Sequence, residues 1–403
     1  MTDVKTLLGR HLPRLYFDAQ EVYFADSAAE WTDNPGNVLR RGVGQGAARI
    51  AVAGGQPALS LAFLARDIYG DGHTRVQRED TLSDPSREYQ AQAAALHLDE
   101  RYANRIYGHA VEGSDKRLWL QYWFFYFYDD FAVAGFGVHE GDWEMIQLRL
   151  GSDEQPDLAV YAQHRHAEQR PWRNVKRAAD DNQQPVVYVA RGSHACYFDS
   201  GAHWTGVWFD QADGKRRSKR PATLEIVGDA SPGWIGWPGW WGDTRKLSAD
   251  DPFDQDSPRG PSQHVQWRDP VALIQAAVAH VARPPAPPPP SPPLPQALEV
   301  RRDAGRLDVD YRFAAPRADQ AAPAKLVVTI NSRDDRLTPA SFAYPVSQQV
   351  GTVTAQREVP DDQRCDIHVS TVSADGVATA AIAIELNAAQ KSAAWPTTTD
   401  TPA

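Results

Sequence analysis

Two consecutive stretches, RLWLQYWFFYFYDD (residues 117–130) and HEGDWEMIQLRL (residues 139–150), decide the fold. Aromatic residues favour strands, and a strand that is apolar on both faces is buried on both. Side chains alternate with period two along a strand. Leu118, Leu120, Tyr122, Phe124, Tyr126 and Tyr128 are therefore expected on one face, and Trp119, Trp123, Phe125 and Phe127 on the other. Working outward, LAVYAQH (158–164), QPVVYVARGSH (184–194) and ATLEIVG (222–228) continue the strand pattern. Helical character is expected in QPALSLAFLARDIYG (56–70), near Ser86–Ala110, and in a closing segment, PVALIQAAVAHVA (270–282).

The proline run RPPAPPPPSPPLP, residues 283–295, reads as a stiff polyproline II spacer. Of the 13 tryptophans only Trp395 follows it, so the aromatic text ends there. Beyond it LEVRRD (298–303), RLDVDYRF (306–313), AKLVVTINS (324–332), CDIHVSTVS (365–373) and ATAAIAIEL (378–386) alternate apolar and polar residues. Short alternating strands separated by turn signals predict an immunoglobulin- or fibronectin-like β-sandwich. The expected class is mainly β. A large aromatic-rich β-sandwich with a few helices (1–282) and the linker (283–295) precede a small β-sandwich (296–390) and a disordered Ala/Thr/Pro-rich tail (391–403). The small sandwich, with its single histidine His368, is expected to serve as an accessory or protein-interaction module.

The net charge of −10 argues against a general affinity for nucleic acid or anionic lipid. Lys215, Arg216, Arg217, Lys219 and Arg220 follow an Asp213-Gly214 turn signal and are expected to be a solvated hairpin tip. Cys196 and Cys365 lie far apart on either side of the proline run, so no disulfide framework is expected. The N-terminal residues have neither an apolar core nor a cleavage site of signal-peptide type, and no run approaches transmembrane length. A cytoplasmic location is expected, with leaderless export left open.

Polar groups punctuate the ends of these apolar segments: Asp129-Asp130, His139-Glu140-Gly141-Asp142-Trp143-Glu144, Gln163-His164 and Ser193-His194. Asp142 and Glu144 should share a face, and Gly137 and Gly141 give His139 the freedom to fold toward them. One imidazole and two carboxylates form a first shell for a divalent ion, which His164 or His194 could complete. Mixed His and carboxylate ligands leave Mg, Ca, Mn and Zn open. Paired carboxylates can equally be met by arginines, and a strand-end histidine is often purely structural. Ser193 and His194 are adjacent on an extended chain and cannot pair as nucleophile and base. No G-x-S-x-G elbow, phosphate loop or dinucleotide fingerprint is present.

In this order, the motifs resemble the vacuolar protein sorting sixty-two family, represented in plants and bacteria as a domain of unknown function. The matching segments are LPRLYFDAQEVYFADSAAEW (12–31), LQYWFFYFYDD (120–130), HEGDWE (139–144), YAQH (161–164), PVVYVARGSHACYF (185–198), WPGWWGDT (237–244), and Gly260-Pro261 with W-x-D-P at 267–270. More distantly, H-x-x-D-W-E is similar to the GHRHDWE signature of necrosis- and ethylene-inducing peptide-like cytolysins. That resemblance implies a β-sandwich holding a divalent cation through His139, Asp142 and Glu144, with Asp130 (or Asp129) from the preceding strand. His-Arg-His-Asp has become His-Glu-Gly-Asp here, and the cytolysins' cysteines and secretion signal are missing.

Three functions follow as expectations. The first is a divalent-metal-dependent hydrolase of a phosphate or ester, with His194 and Glu140 shuttling protons and His139, Asp142, Glu144, Asp130 and His164 around the metal. The second is a metal-dependent binding module for a lipid headgroup or glycan, lined by Trp234, Trp237, Trp240 and Trp241; ordinary packing is the competing account of those tryptophans. The third is a scaffold in which the ion only stabilises the fold.

Overall fold

The computed structural model describes residues 2–41, 48–65, 67–84, 104–129, 139–164, 166–205, 208–217, 221–229, 231–242, 258–274, 290–315, 317, 320–332, 340–374, 377–379 and 381–395. Asp130, Gly137, Lys219, Arg220, residues 283–289 and residues 396–403 lie outside this set. The chain is mainly β. Strand β1 (Arg14–Phe17) follows a short helix, α1 (Val4–Arg10), whose N-cap Asp3 accepts from Thr6 N. After α2 (Ala28–Thr32) come β2 (Val38–Arg41), β3 (Ala48–Val52) and β4 (Asp80–Ser83).

Next come β5 (Arg105–Glu112), β6 (Leu118–Asp129), β7 (His139–Leu150), β8 (Pro156–Gln163) and β9 (His166–Pro171). With β15 (Thr223–Ile226) they form a six-stranded sheet in the order β15-β5-β6-β7-β8-β9. The region near Ser86–Ala110, expected to be helical, contributes Arg105–Glu112 as a strand; side-chain packing on both sheet faces overrides its local propensity. Residues 85–103 lie outside the described set. Among the described residues of 56–70 the one helical turn is the 3-10 segment Leu61–Phe63, and residues 271–274 are helical in the closing stretch.

The sheet separates two cores, and β6 feeds both. Leu120, Tyr122, Phe124 and Tyr126 pack into a cluster with Leu8, Phe17, Ile146, Leu148, Tyr161 and Val187. Trp123, Phe125 and Phe127 pack into another with Trp31, Trp143, Trp234, Trp237, Trp241 and Trp267. Tyr128 breaks the alternation: it joins Phe127 in the tryptophan core rather than Tyr126 on the other face. Its partner on β7, Glu140, lies on the same side. Gly141 has φ +63°, and a Cβ there would strike the carbonyl oxygen of Trp241. The chain turns over at this left-handed glycine, so Glu140 and Asp142 do not share a face despite their spacing.

Strands β10 (Arg177–Ala178), β11 (Asp181–Val189) and β12 (Cys196–Tyr197) join β1 in a smaller sheet covering the first core. A hairpin, β13 (Gly201–Trp204) with β14 (Trp208–Ala212), follows. In the basic stretch after it, Lys215 and Arg217 are exposed as expected of a solvated tip, but Arg216 is held to the sheet. Arg216 exchanges backbone hydrogen bonds with Phe17 at 2.8 and 3.0 Å, and its guanidinium lies 5.0 Å from the Phe24 ring centroid. The cation–π and bridge contacts hold it to the sheet edge.

Beyond Pro290, two sheets enclose a separate core that includes Leu298, Val309, Leu326, Val328, Ile367 and Ile384. One contains β17 (Ala297–Asp303), β18 (Arg306–Arg312), β21 (Val350–Thr354) and β25 (Ser392–Trp395). The other contains β19 (Pro323–Ser332), β20 (Ala340–Pro345), β22 (Cys365–Ser373), β23 (Ala378–Thr379) and β24 (Ile382–Leu386). The buried Arg302 guanidinium donates to the carbonyls of Pro360, Gln363, Asn387 and Gln390, tying two loops of this sandwich. Strand β14 pairs in parallel with β23 through Trp208↔Ala378 and Phe209↔Thr379, so hydrogen bonding runs between the two parts of the chain.

Replacing Gly141 with Ala should cost about 2–4 kcal/mol, combining a left-handed backbone with a steric overlap. Equilibrium denaturant unfolding checks this; a loss within about 0.5 kcal/mol, the range of an ordinary surface change, would mean that the turn-over of β7 does not depend on glycine.

Candidate functional site

Downstream of Gly141, β7 aims Asp142 and Glu144 at the first core, beneath the end of β8 and the turn after β11. The turn Arg191-Gly192-Ser193-His194 places His194 in the left-handed region at φ +53°, next to Gly192 at +74°. That backbone aims the imidazole inward. The ring is fully buried and stacks on Tyr126, with centroids 3.8 Å apart and planes 2° from parallel. Its Nδ1 donates to Asp142 Oδ2 at 2.9 Å, and its Nε2 lies 3.7 Å from Glu21 Oε1.

Glu21 is buried too. Its Oε1 accepts from the amides of Val22 and Tyr23 at 2.9 and 2.8 Å, and its Oε2 accepts from Gly192 N at 2.7 Å. Burial opposes charge on both partners. Against it, the Glu21 and Asp142 carboxylates hold the His194 pKa up at about 9, and the His194 charge with the amide donors holds Glu21 below the usual carboxylate range. Glu21–His194–Asp142 is therefore a buried imidazolium between two carboxylates at neutral pH.

A second pairing lies beside it. His164, also left-handed at φ +54°, places Nε2 2.8 Å from Asp210 Oδ2. Tyr197 Oη donates to the same oxygen at 2.6 Å. Burial lowers the His164 pKa, but the Asp210 charge and hydrogen bond raise it on balance. Asp210 comes from β14, one residue after the backbone that pairs with β23.

Glu144, two residues after Asp142 on β7, is within reach of the carboxylates of both pairs. Among the described residues no side chain donates to its carboxylate. Burial, then the charges of Asp142 and Asp210, push its pKa well above the usual range.

Of the residues named from sequence, Asp142, Glu144, His164 and His194 meet in this region. His139 feels the charges of Asp142 and His194, but both of its ring nitrogens face other partners. Its Nδ1 donates to Gly141 O at 2.7 Å and its Nε2 faces Asp129 Oδ2 at 3.3 Å, and burial lowers its pKa. Glu140 points to the opposite core and accepts from the amide of Asp84. Asp130 lies outside the described residues. Trp234, Trp237 and Trp241 are core packing: Trp234 and Trp237 each meet the Trp241 ring, and Trp234 and Trp241 meet Trp143. Half-buried Trp240 lies under the Arg259 guanidinium at 3.3 Å.

Glu21 and Asp210 were not singled out from sequence, although each is an acid with an aromatic or aliphatic neighbour on one side, in AQEVYF and WFDQA. A buried acid needs a partner, and that requirement was the available signal.

Among the described residues no three His, Cys, Asp or Glu side chains are arranged to hold a metal ion. Asp142 Oδ1 and the Glu144 carboxylate have no described side-chain donor, which gives a donor set of hard oxygens alone. Such a pair fits an ion of the magnesium type, which is held by one or two carboxylates and keeps several waters. It does not fit a closed nitrogen-rich zinc shell, because the nearby imidazoles are committed to carboxylates.

No family model matches the chain, so the resemblance to the vacuolar protein sorting sixty-two family has no such support. No curated protein matches it. Among solved structures it is similar to Necrosis and Ethylene inducing Protein 2 from the causal agent of cocoa's witches' broom disease, at 13% identity over 55% of this chain and 72% of that one, with a TM-score of 0.28. It is also similar to NLPPya, solved in complex with glucosamine, at 11% identity over 68% of this chain and 90% of that one, with a TM-score of 0.31. These neighbours belong to the class that the H-x-x-D-W-E motif resembles, but at such identities and scores the likeness assigns no activity. No described helix is long and apolar enough to cross a membrane.

The buried triad fixes a pH window. His194 has a folded pKa of about 9 against an ordinary 6.5, so its contribution is complete below about pH 6.5 and is lost as pH rises through about 9. Glu21 is lowered, so its contribution is present above its ordinary value of 4.5 and is lost as pH falls through its lower folded pKa. Melting temperature should fall on the alkaline side between about pH 7 and 10. His194→Gln should lose most of that alkaline slope; an unchanged slope would place the titrating group elsewhere.

Proposed function

We propose that Asp142 and Glu144 hold a hard divalent cation, and that the chain is a cation-dependent binding module for an oxygen-rich polar ligand, a lipid headgroup or a glycan. The carrying observation is Glu144, a half-buried carboxylate that receives no side-chain donor among the described residues and feels the charges of Asp142 and Asp210. A carboxylate in that position takes up either a proton or a cation. When bound, the ion would offer its remaining coordination positions to phosphate or hydroxyl oxygens. Asp142 is held for this by His194, and the paired His164 and Asp210 stand alongside.

The two groups expected to move protons in a hydrolase are committed elsewhere. His194 is charged at neutral pH and fully buried, so it has no lone pair to act as a base. Glu140 serves a backbone amide on the far side of the sheet. One observation favours a second reading, hydrolysis of a phosphate or ester: a carboxyl with a raised pKa, such as Glu144, can serve as a general acid. The sandwich of residues 297–395 is proposed as an accessory module.

Calorimetric titration with Mg, Ca and Mn should give binding to the full chain at a stoichiometry near one. Asp142→Asn and Glu144→Gln should each weaken it by at least tenfold. At an ion concentration of about 100 times Kd the wild type should gain roughly 2.7 kcal/mol of stability, and Glu144→Gln almost none. Vesicles bearing phosphorylated or glycosylated headgroups, and the free glycans, should then bind with ion and release with chelator. Binding unaffected by chelator would sink the cation reading, and turnover of a phosphoester or ester panel would promote the hydrolase.

A further inference from the structure

We infer that Glu21 is a positioning residue for Asp142, acting through the imidazole of His194. The inference rests on the cation-binding reading above. Each joint in the chain of contacts is immobilised separately. The Glu21 carboxylate accepts three backbone amides, from Val22, Tyr23 and Gly192, so neither oxygen is free to rotate away. The His194 ring is clamped against Tyr126 at 3.8 Å, and its backbone lies in a conformation that few side chains adopt. Held in that plane, it keeps Nε2 facing Glu21 Oε1 at 3.7 Å while Nδ1 reaches Asp142 Oδ2 at 2.9 Å.

The consequence falls on Asp142. With Oδ2 fixed by His194, rotation of the carboxylate is blocked and Oδ1 is the atom left to meet an ion. Groups that orient a ligand in this way typically change metal affinity by about 10–100-fold when removed. Glu21 lies 121 positions before Asp142 in the sequence, so the loop after β1 is built into the site from outside the β7 motif. A purely structural tie between that loop and β7 would make a different prediction: loss of Glu21 would lower the melting temperature and leave the geometry of a bound ion unchanged.

Two measurements on the full-length chain separate these accounts, using Mn²⁺ as the probe. In Glu21→Gln, Mn²⁺ affinity should fall by about 10–100-fold. Water-proton relaxation by the bound ion should rise, because a water replaces the carboxylate oxygen that swings off. Independently of any ion, the hydrogen-bonded Nδ1 proton of His194, seen in the ¹⁵N-histidine spectrum of the wild type, should be lost in the variant. A folded Glu21→Gln chain with wild-type affinity, relaxation and Nδ1 resonance overturns the inference. If Glu21→Gln does not fold, Glu21→Asp takes its place, retaining the charge but retracting it from His194 by one methylene; wild-type behaviour there overturns the inference equally. If the wild type binds no Mn²⁺, the cation reading fails, and the Nδ1 resonance alone decides the positioning role: its loss in the variant sustains it and its persistence refutes it.

Discussion

The polar end of this protein depends on one constraint, the change of face that β7 makes at Gly141. The sheet is apolar on both sides, so every polar side chain on β7 must be delivered to a place that can neutralise it. The Trp241 carbonyl occupies the position a Cβ would need, and the left-handed backbone at residue 141 reverses the alternation. Glu140 is sent into the tryptophan side, where a backbone amide meets it. Asp142 and Glu144 are sent to the other side, where imidazoles from two further turns are waiting.

Charge balance then organises that second side. Burying a carboxylate alone costs several kcal/mol, so each acid there needs a counterpart. Glu21 and Asp142 share His194, and Asp210 takes His164 with a hydroxyl from Tyr197. His164 and His194 both adopt positive φ, which shows backbone conformation being given up to direct the rings. Glu144 is left over, with no imidazole of its own among the described residues. The proposed function rests on that remainder: a carboxylate added to an already acidic site takes up an external cation or a proton.

The sequence made part of this legible. Runs of aromatic residues announced strands buried on both faces, and regular alternation placed Tyr122, Phe124 and Tyr126 opposite Trp123, Phe125 and Phe127 as found. Charged residues at the ends of such strands pointed to the right region. Period-two reasoning failed at Tyr128, which packs on the tryptophan side together with its β7 partner Glu140. Strand-end histidines looked like ligands in a linear reading, yet three of them already have a carboxylate or a carbonyl oxygen. Glu21 and Asp210 lie far from the motif in sequence, and only the pairing of β1 with β11 and the fold of the β13–β14 hairpin bring them in. Local pattern cannot encode such long-range meetings.

Anomalous diffraction from crystals of the full chain soaked in Mn²⁺ tests the central claim most directly. The account predicts one strong peak within coordination distance, about 2.2 Å, of oxygens from both Asp142 and Glu144. It also predicts that the Glu21–His194–Asp142 contacts stay as they are. A well-ordered site with no peak there, or a peak bound by His139 or His164 with their present carboxylate and carbonyl partners released, would contradict it.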